Sequence, residues 1–176
     1  DEQTIQSICD EITSLGNGDL LEPANFNSPG QVVIAGHKNA ILRGIELAKS
    51  KGAKRAIMLP MSIPSHCSLM QPAAETIQRQ LAHLTLQAPK IPILHNVDVK
   101  THSDAASIKQ ILIQQLISPV RWVDTIQAFS VAGVTNIVEC GPGKVLAGLN
   151  KRINSNLQQL PLADSEAIRQ AVNSLS

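Results

Sequence analysis

Helical and extended patterns alternate along the first third of the chain in an order that few folds accommodate. Apolar residues that recur every three or four positions predict a helix over residues 4–15 and a second over 38–51. Extended runs at 20–26 and 31–35 flank Asn-Ser-Pro-Gly, a sequence typical of tight turns, and therefore predict a hairpin. A further strand is predicted at 56–59, which gives the order α-β-β-α-β.

The predicted order α-β-β-α-β is one strand short of a known small structural unit. One additional strand at its N-terminal side would complete β-α-β-β-α-β, the split unit of ferredoxin-like domains. We therefore predict a ferredoxin-like subdomain over residues 1–61 that lacks its first strand, and we expect that strand upstream of Asp1. Asp1 opens the chain without Met or a signal peptide, so we expect it to be a cut end.

The pattern changes after residue 61, where a proline-bounded segment begins. Strands and helices then alternate to the end of the chain, which is typical of a parallel sheet covered on both faces. A second domain is therefore predicted over residues 62–176. Its expected strands are 91–96 and 136–140, and its expected helices are 69–84, 105–116, 120–132, 144–153 and 163–172. A short segment at 157–162 is assigned to neither type.

Composition excludes several classes of protein. The formal net charge is +1, and there are only three aromatic residues, so we expect no nucleic-acid binding. No apolar run approaches the roughly 18 residues of a transmembrane helix, so we expect no membrane span. The cysteines are odd in number and widely spaced, which favours a reducing compartment and predicts a cytoplasmic protein.

His66 is the strongest candidate for chemistry, because it lies between a predicted strand and a predicted helix, where an imidazole can face a cleft. Its position alone leaves two roles for His66 open: a general base, or a residue that merely packs in the loop that caps the helix. Its neighbour Cys67 has no activating partner in the sequence, so we predict a packed thiol rather than a nucleophile.

Two further clusters invite a functional interpretation. His95, Asp98 and His102 lie within eight residues, yet nothing in their spacing places three donors around one point, so we predict no metal site. The Gly-Pro-Gly-Lys sequence at 141–144 follows a predicted strand and could hold an anion, although its position favours a tight strand-to-helix turn. It is not a P-loop, since the spacing of that motif is absent.

Several segments, which together span nearly the whole chain, form a recognisable set. They are PANFNSPGQVVIAGHK (23–38), GAKRA (52–56), LPMSIPSHCSLMQPAA (59–74), NVDV (96–99), QLISPVRW (115–122) and ECGPGKVL (139–146). In sequence and in order, these segments resemble the malonyl-CoA:acyl carrier protein transacylases of fatty-acid synthesis.

The resemblance implies an α/β-hydrolase-like domain with an inserted ferredoxin-like subdomain, in agreement with the α/β fold class and the two units predicted from periodicity. It also implies that the chain corresponds to the C-terminal portion of such an enzyme. The G-H-S-x-G elbow that carries the nucleophilic serine of the family is absent from these 176 residues. The resemblance thus implies an inactive isolated chain.

The resemblance assigns roles to three residues. His66 is implied to be the general base, and Gln115 is implied to orient it through the main-chain carbonyl, so that Gln115→Ala should be mild. Asn27 is implied to lie near the acyl pocket as a substrate-binding residue. Pro64, which precedes the Ser-His pair, favours malonyl over methylmalonyl.

The implied reaction transfers malonyl from malonyl-CoA to the phosphopantetheine thiol of acyl carrier protein through an acyl-serine. It needs neither a metal nor another cofactor, and the complete enzyme is expected to be a monomer. The alternative is a truncated, non-catalytic relative that serves as a binding or scaffold module for the carrier protein.

Overall fold

The computed structural model describes residues 1–16 and 18–175. Ser176, the last residue of the second predicted domain, lies outside the described residues. The elements are α1 (Glu2–Thr13), β1 (Leu21–Ser28), β2 (Gln31–Gly36), α2 (Lys38–Ser50), a 3₁₀ turn (Ser68–Met70), α3 (Gln71–Ala82), α4 (Ala105–Ile117), α5 (Trp122–Val131), β3 (Asn136–Cys140), α6 (Val145–Ile153), β4 (Gln158–Leu162) and α7 (Ser165–Leu175).

The chain forms two compact units, Asp1–Arg121 and Trp122–Ser176. The domain boundary predicted after residue 61 lies inside the first unit and stays a prediction. None of the helices described here has the length and apolar character needed to cross a membrane.

The first unit is built around the predicted hairpin. β1 and β2 pair antiparallel, and the turn between them has Gly30 at φ 75°, a conformation that favours glycine. Asp1 caps α1 by accepting a hydrogen bond from the backbone N–H of Thr4 at 2.7 Å. The apolar faces of α1, α2 and the hairpin meet in one core cluster, which consists of Ile8, Cys9, Ile12, Leu21, Ala40 and Ala48.

Two predicted strands are wrong. Residues 56–59 form no strand, and Ile57 is 54% exposed. Of residues 91–96, only Leu94 makes an isolated bridge, to Thr101. The apolar runs were correctly located, but a strand also needs a hydrogen-bonded neighbour, and no other strand among residues 1–16 and 18–175 pairs with either segment.

Two helices carry the rest of the first unit. Asp104 caps α4 by accepting from the backbone N–H of Ser107 at 2.8 Å. α3 begins directly after the 3₁₀ turn and packs against α4. This places the end of α4 beside the segment that leads into the 3₁₀ turn.

The second unit contains a β-α-β arrangement, whose second strand lies in the short segment that the sequence left unassigned. β3 and β4 are parallel, with Asn136 opposite Gln158 and Cys140 opposite Leu162, and α6 connects them. Asn150 is fully buried and satisfied: it accepts from Trp122 Nε1 and donates to Gln159 Oε1, both at 2.9 Å. The prediction of a mixed α/β chain is confirmed.

Gly36 is required by a close approach of backbone at the end of β2. A Cβ atom at this position would overlap the carbonyl oxygen of Leu20. We expect Gly36→Ala to lower the free energy of unfolding by about 1–3 kcal/mol, because the backbone must shift to relieve the overlap. Urea denaturation measures this difference.

Gly148 in α6 provides a matched control, since a Cβ there meets nothing within 4 Å. Gly148→Ala should leave the stability unchanged or raise it by up to ~1 kcal/mol through helix propensity. A Gly36→Ala protein as stable as the wild type would contradict the packing described here.

Candidate active site

His66 lies in an unusual backbone conformation just before the 3₁₀ turn. Its φ is 65°, in the left-handed region that non-glycine residues seldom adopt. Such a conformation persists only where the surrounding structure holds it, and it is concentrated at functional sites. The contacts around His66 show how it is held.

The C-terminal end of α4 binds His66 twice. The backbone N–H of His66 donates to the carbonyl oxygen of Leu116 at 3.1 Å, and His66 Nδ1 lies 2.8 Å from the carbonyl oxygen of Gln115. Both are among the last four backbone carbonyl groups of the helix, and these four groups have no hydrogen-bond partner within the helix itself. His66 therefore satisfies two groups that the helix leaves unpaired.

Pro119 explains why the Gln115 carbonyl is available. In a continuing helix, the N–H four residues later would bind this carbonyl, but proline has no N–H. Proline also disfavours helical dihedrals in the preceding residue, and Ser118 is extended at φ −132° and ψ 152°. A proline four residues after Gln115 is thus a local sequence signal for this contact, although the predictions from the sequence did not use it.

The contact determines which ring nitrogen can act as a base. A carbonyl oxygen can only accept, so Nδ1 carries the hydrogen and Nε2 of the neutral ring keeps its lone pair. The last turn of α4 also carries partial negative charge, which complements the positive charge that an imidazole acquires when it takes up a proton. The arrangement is suited to general base catalysis.

His66 lines a cleft of about 460 Å³ in the first unit. Residues from α1, β1 and the end of α4 form the walls. They are Glu2, Gln3, Gln6, Glu22, Pro23, Phe26, His66, Ile117, Pro119 and Arg121.

The residues that follow His66 are anchored to the hairpin. Cys67 is fully buried in a small cluster with Ala24 and Ala35, and burial raises the pKa of its thiol. The carboxylate of Glu22 accepts from the Ser68 backbone N–H at 2.7 Å and from its hydroxyl at 3.0 Å. Glu22 is separated from Ser68 by 46 positions, and the sequence carries no local signal for this contact.

Asn27 is half-buried near the end of β1. Two other residues of this strand are bonded to the segment that follows α4: Phe26 donates its backbone N–H to Val120 O, and Ala24 O accepts from the N–H of Val120, both at 2.9 Å. Asn27 does not line the cleft that His66 lines. The structure thus brings His66 and Gln115 together, whereas Asn27 lies outside the set of residues that line the cleft with His66.

His95, Asp98 and His102 form a local cluster. His102 Nε2 lies 2.8 Å from the Asp98 carboxylate, and the two histidine rings are 5.5 Å apart. Burial and the neighbouring His102 lower the pKa of His95. Burial opposes ionisation of Asp98, but hydrogen bonds from His102 and the Lys100 N–H outweigh it and lower its pKa. Among residues 1–16 and 18–175, no three His, Cys, Asp or Glu side chains could hold a metal.

The Gly-Pro-Gly-Lys segment connects β3 to α6. Glu139 turns back onto the start of this helix, where its carboxylate accepts from the backbone N–H groups of Leu146 at 3.0 Å and Ala147 at 2.8 Å. These donors are the ones that an external anion would use. An internal carboxylate therefore occupies them, which favours the interpretation of the segment as a turn.

No family model matches the chain, but individual known proteins do. A malonyl CoA-acyl carrier protein transacylase from Salmonella typhimurium is 46% identical over 172 residues, 98% of this chain and 55% of that protein. The Bacillus subtilis protein of the same name is 41% identical over 175 residues, 99% of this chain and 55% of that protein.

Solved structures agree. The malonyl CoA-acyl carrier protein transacylase of Coxiella burnetii superposes with a TM-score of 0.95 at 45% identity, over 99% of this chain and 54% of that one. A malonyl-transacylase solved in complex with its type II PKS acyl-carrier protein gives 0.95 at 41% identity, over 99% and 55%.

The chain belongs to the malonyl CoA-acyl carrier protein transacylase family. It spans about half the length of the curated relatives it matches. The resemblance and the fold class predicted from the sequence are confirmed. The roles of His66, Gln115 and Asn27 within this transacylase fold stay predictions.

The three cysteines differ in burial, since Cys9 and Cys67 are buried and Cys140 is exposed. Burial, with the nearby Asp10 and Glu22 carboxylates, raises the pKa of Cys9 to about 12, whereas Cys140 is exposed. We expect iodoacetamide at pH 8 to alkylate Cys140 quickly and both Cys9 and Cys67 slowly, because only thiolates react and buried thiols seldom form them. Peptide mapping by mass spectrometry measures each rate.

The same reaction in guanidinium chloride is the control, since unfolding should make the three alkylation rates similar. Alkylation of Cys67 in the folded protein as fast as that of Cys140 would contradict the assignment of Cys67 as a packed thiol.

Proposed function

We propose that the complete protein containing this chain, as its C-terminal portion, transfers malonyl from malonyl-CoA to the phosphopantetheine thiol of acyl carrier protein. An acyl-serine is the intermediate, and this chain supplies His66 as the general base. The 2.8 Å contact between His66 Nδ1 and the Gln115 carbonyl carries the proposal, because it leaves Nε2 as the basic nitrogen of a residue that lines a cleft.

The proposed reaction has two balanced halves. In the first, Nε2 takes the serine proton, the serine oxygen attacks the thioester carbon, and the carbon–sulfur bond breaks. The departing thiolate of coenzyme A takes the proton back from the imidazolium. In the second, Nε2 deprotonates the phosphopantetheine thiol, the thiolate attacks the acyl-serine, and the serine oxygen leaves with that proton.

Gln115 is proposed to act only through its main chain. Its carbonyl holds the ring in the Nδ1–H tautomer, as a carboxylate does in a Ser-His-Asp triad, but without a full negative charge. The partial charge at the end of α4 supplements it. Because the acting group is backbone, the identity of the side chain at 115 should matter little.

Asn27 is proposed as a substrate-binding residue. Three other residues of β1, Glu22, Pro23 and Phe26, line the cleft with His66, which supports a role for this strand near the substrate. Pro64, which precedes Ser65 and His66, supports malonyl as the acyl group through the resemblance.

The proposed partners are malonyl-CoA and phosphopantetheinylated acyl carrier protein, and a related transacylase has been solved with its carrier protein. We propose a cytoplasmic monomer that needs no metal and no other cofactor for this thioester exchange. A non-catalytic scaffold is not supported, because the relatives at 41–46% identity are named as transacylases.

In the complete protein, His66→Ala should lower the rate of acyl-serine formation by roughly six orders of magnitude, the scale seen when a catalytic histidine is removed from a serine hydrolase. Gln115→Ala should stay near the wild-type rate, since its carbonyl remains. Rapid-quench measurement of radiolabelled malonyl bound to the protein reports this step directly.

His83→Ala is the matched control, because His83 is an exposed histidine at the end of α3. It should not change the acylation rate. A His66→Ala protein that acylates as fast as this control would contradict the proposed function. The isolated 176-residue chain, which has no G-H-S-x-G elbow, should show no turnover.

A further inference from the structure

Glu22 binds the segment that carries His66, although the two are far apart in the sequence. Both of its carboxylate oxygens are used: Oε2 accepts from the Ser68 backbone N–H at 2.7 Å, and Oε1 accepts from the Ser68 hydroxyl at 3.0 Å. The backbone N–H is one of the first in the 3₁₀ turn, where donors lack partners within the helix. This charged, two-point bond joins β1 to the residue two positions after His66.

The backbone of His66 needs such support, because its φ of 65° is a costly conformation. On one side, the segment is attached to Gln115 and Leu116 at the end of α4. On the other side, Cys67 is buried against the hairpin, and Ser68 is bound by Glu22. The left-handed residue therefore lies between two anchors.

We propose that Glu22 is a positioning residue for His66, an inference that rests on the proposed function. The carboxylate fixes Ser68, the buried Cys67 transmits that constraint along the backbone, and the His66 ring is thereby held in line with its partner carbonyl. Loss of the anchor lets the segment relax toward ordinary dihedrals and moves Nε2 from its place in the cleft.

Three variants of the complete protein test this role. Glu22→Ala removes both bonds and should lower the acylation rate constant by roughly 10- to 100-fold, the scale expected for a small misplacement of a catalytic group. Glu22 also lines the cleft, but Ser68 occupies both of its carboxylate oxygens. The KM for malonyl-CoA should therefore stay within about twofold, as expected of a residue that positions the base rather than the substrate.

Glu22→Gln should recover most of the wild-type rate, because the amide oxygen can accept from the Ser68 N–H and the amide nitrogen can donate to the hydroxyl. Glu22→Asp keeps the charge on a shorter side chain that cannot reach both atoms, so its rate should fall between those of the alanine variant and the wild type. This variant provides the test if Glu22→Ala does not fold.

Glu139→Ala is the matched control, since Glu139 also binds the start of a helix with both carboxylate oxygens, but that helix is α6 rather than the segment that carries His66. It should lose thermal stability, measured by circular dichroism, without a change in the acylation rate constant. Glu22→Ala should change the rate constant out of proportion to its loss of stability.

Several results would overturn the inference: wild-type acylation in Glu22→Ala or Glu22→Asp, no recovery in Glu22→Gln, or an equal rate loss in Glu139→Ala. His66→Ala, measured in parallel, separates the two hypotheses. If His66→Ala acylates normally, the proposed function itself is wrong. If His66→Ala is inactive and Glu22→Ala has the wild-type rate, only the positioning role is wrong.

Discussion

The site depends on a carbonyl that a helix leaves unpaired. The last turn of α4 ends before Ser118-Pro119, so the Gln115 carbonyl finds no helical donor, and His66 Nδ1 lies 2.8 Å from it. A backbone group is thereby used as the orienting partner of an imidazole, a role that a carboxylate side chain fills in many hydrolases. The position of the ring follows from where the helix ends.

The surrounding elements hold this helix end in place. β1 is bonded at Ala24 and Phe26 to Val120, directly after α4, and the same strand carries Glu22, which binds Ser68. β1 thus binds the chain shortly after His66 and again shortly after Gln115. The hairpin, which the sequence places in the ferredoxin-like subdomain, therefore supports the candidate active site as well as its own core.

Local patterns predicted the helices and the hairpin well, because periodicity and turn residues act within a few positions. They failed at 56–59 and 91–96, where apolar runs exist but strand formation requires a hydrogen-bonded neighbour that periodicity cannot supply. The pairing of His66 with Gln115 is implied only by the family resemblance, although Pro119, four residues after Gln115, indicates that the Gln115 carbonyl has no helical donor. The Glu22–Ser68 contact could not be predicted, since 46 positions separate its partners.

The tautomer of His66 is the most direct test of this account. Nitrogen NMR of the complete protein with ¹⁵N-labelled histidine, at a pH where the ring is neutral, distinguishes protonated Nδ1 from protonated Nε2. We expect His66 to carry its hydrogen on Nδ1, bound to the Gln115 carbonyl, and His66→Ala assigns the signal. A neutral His66 with its hydrogen on Nε2 would contradict it, because the Gln115 carbonyl would then orient nothing and Nε2 could accept no proton.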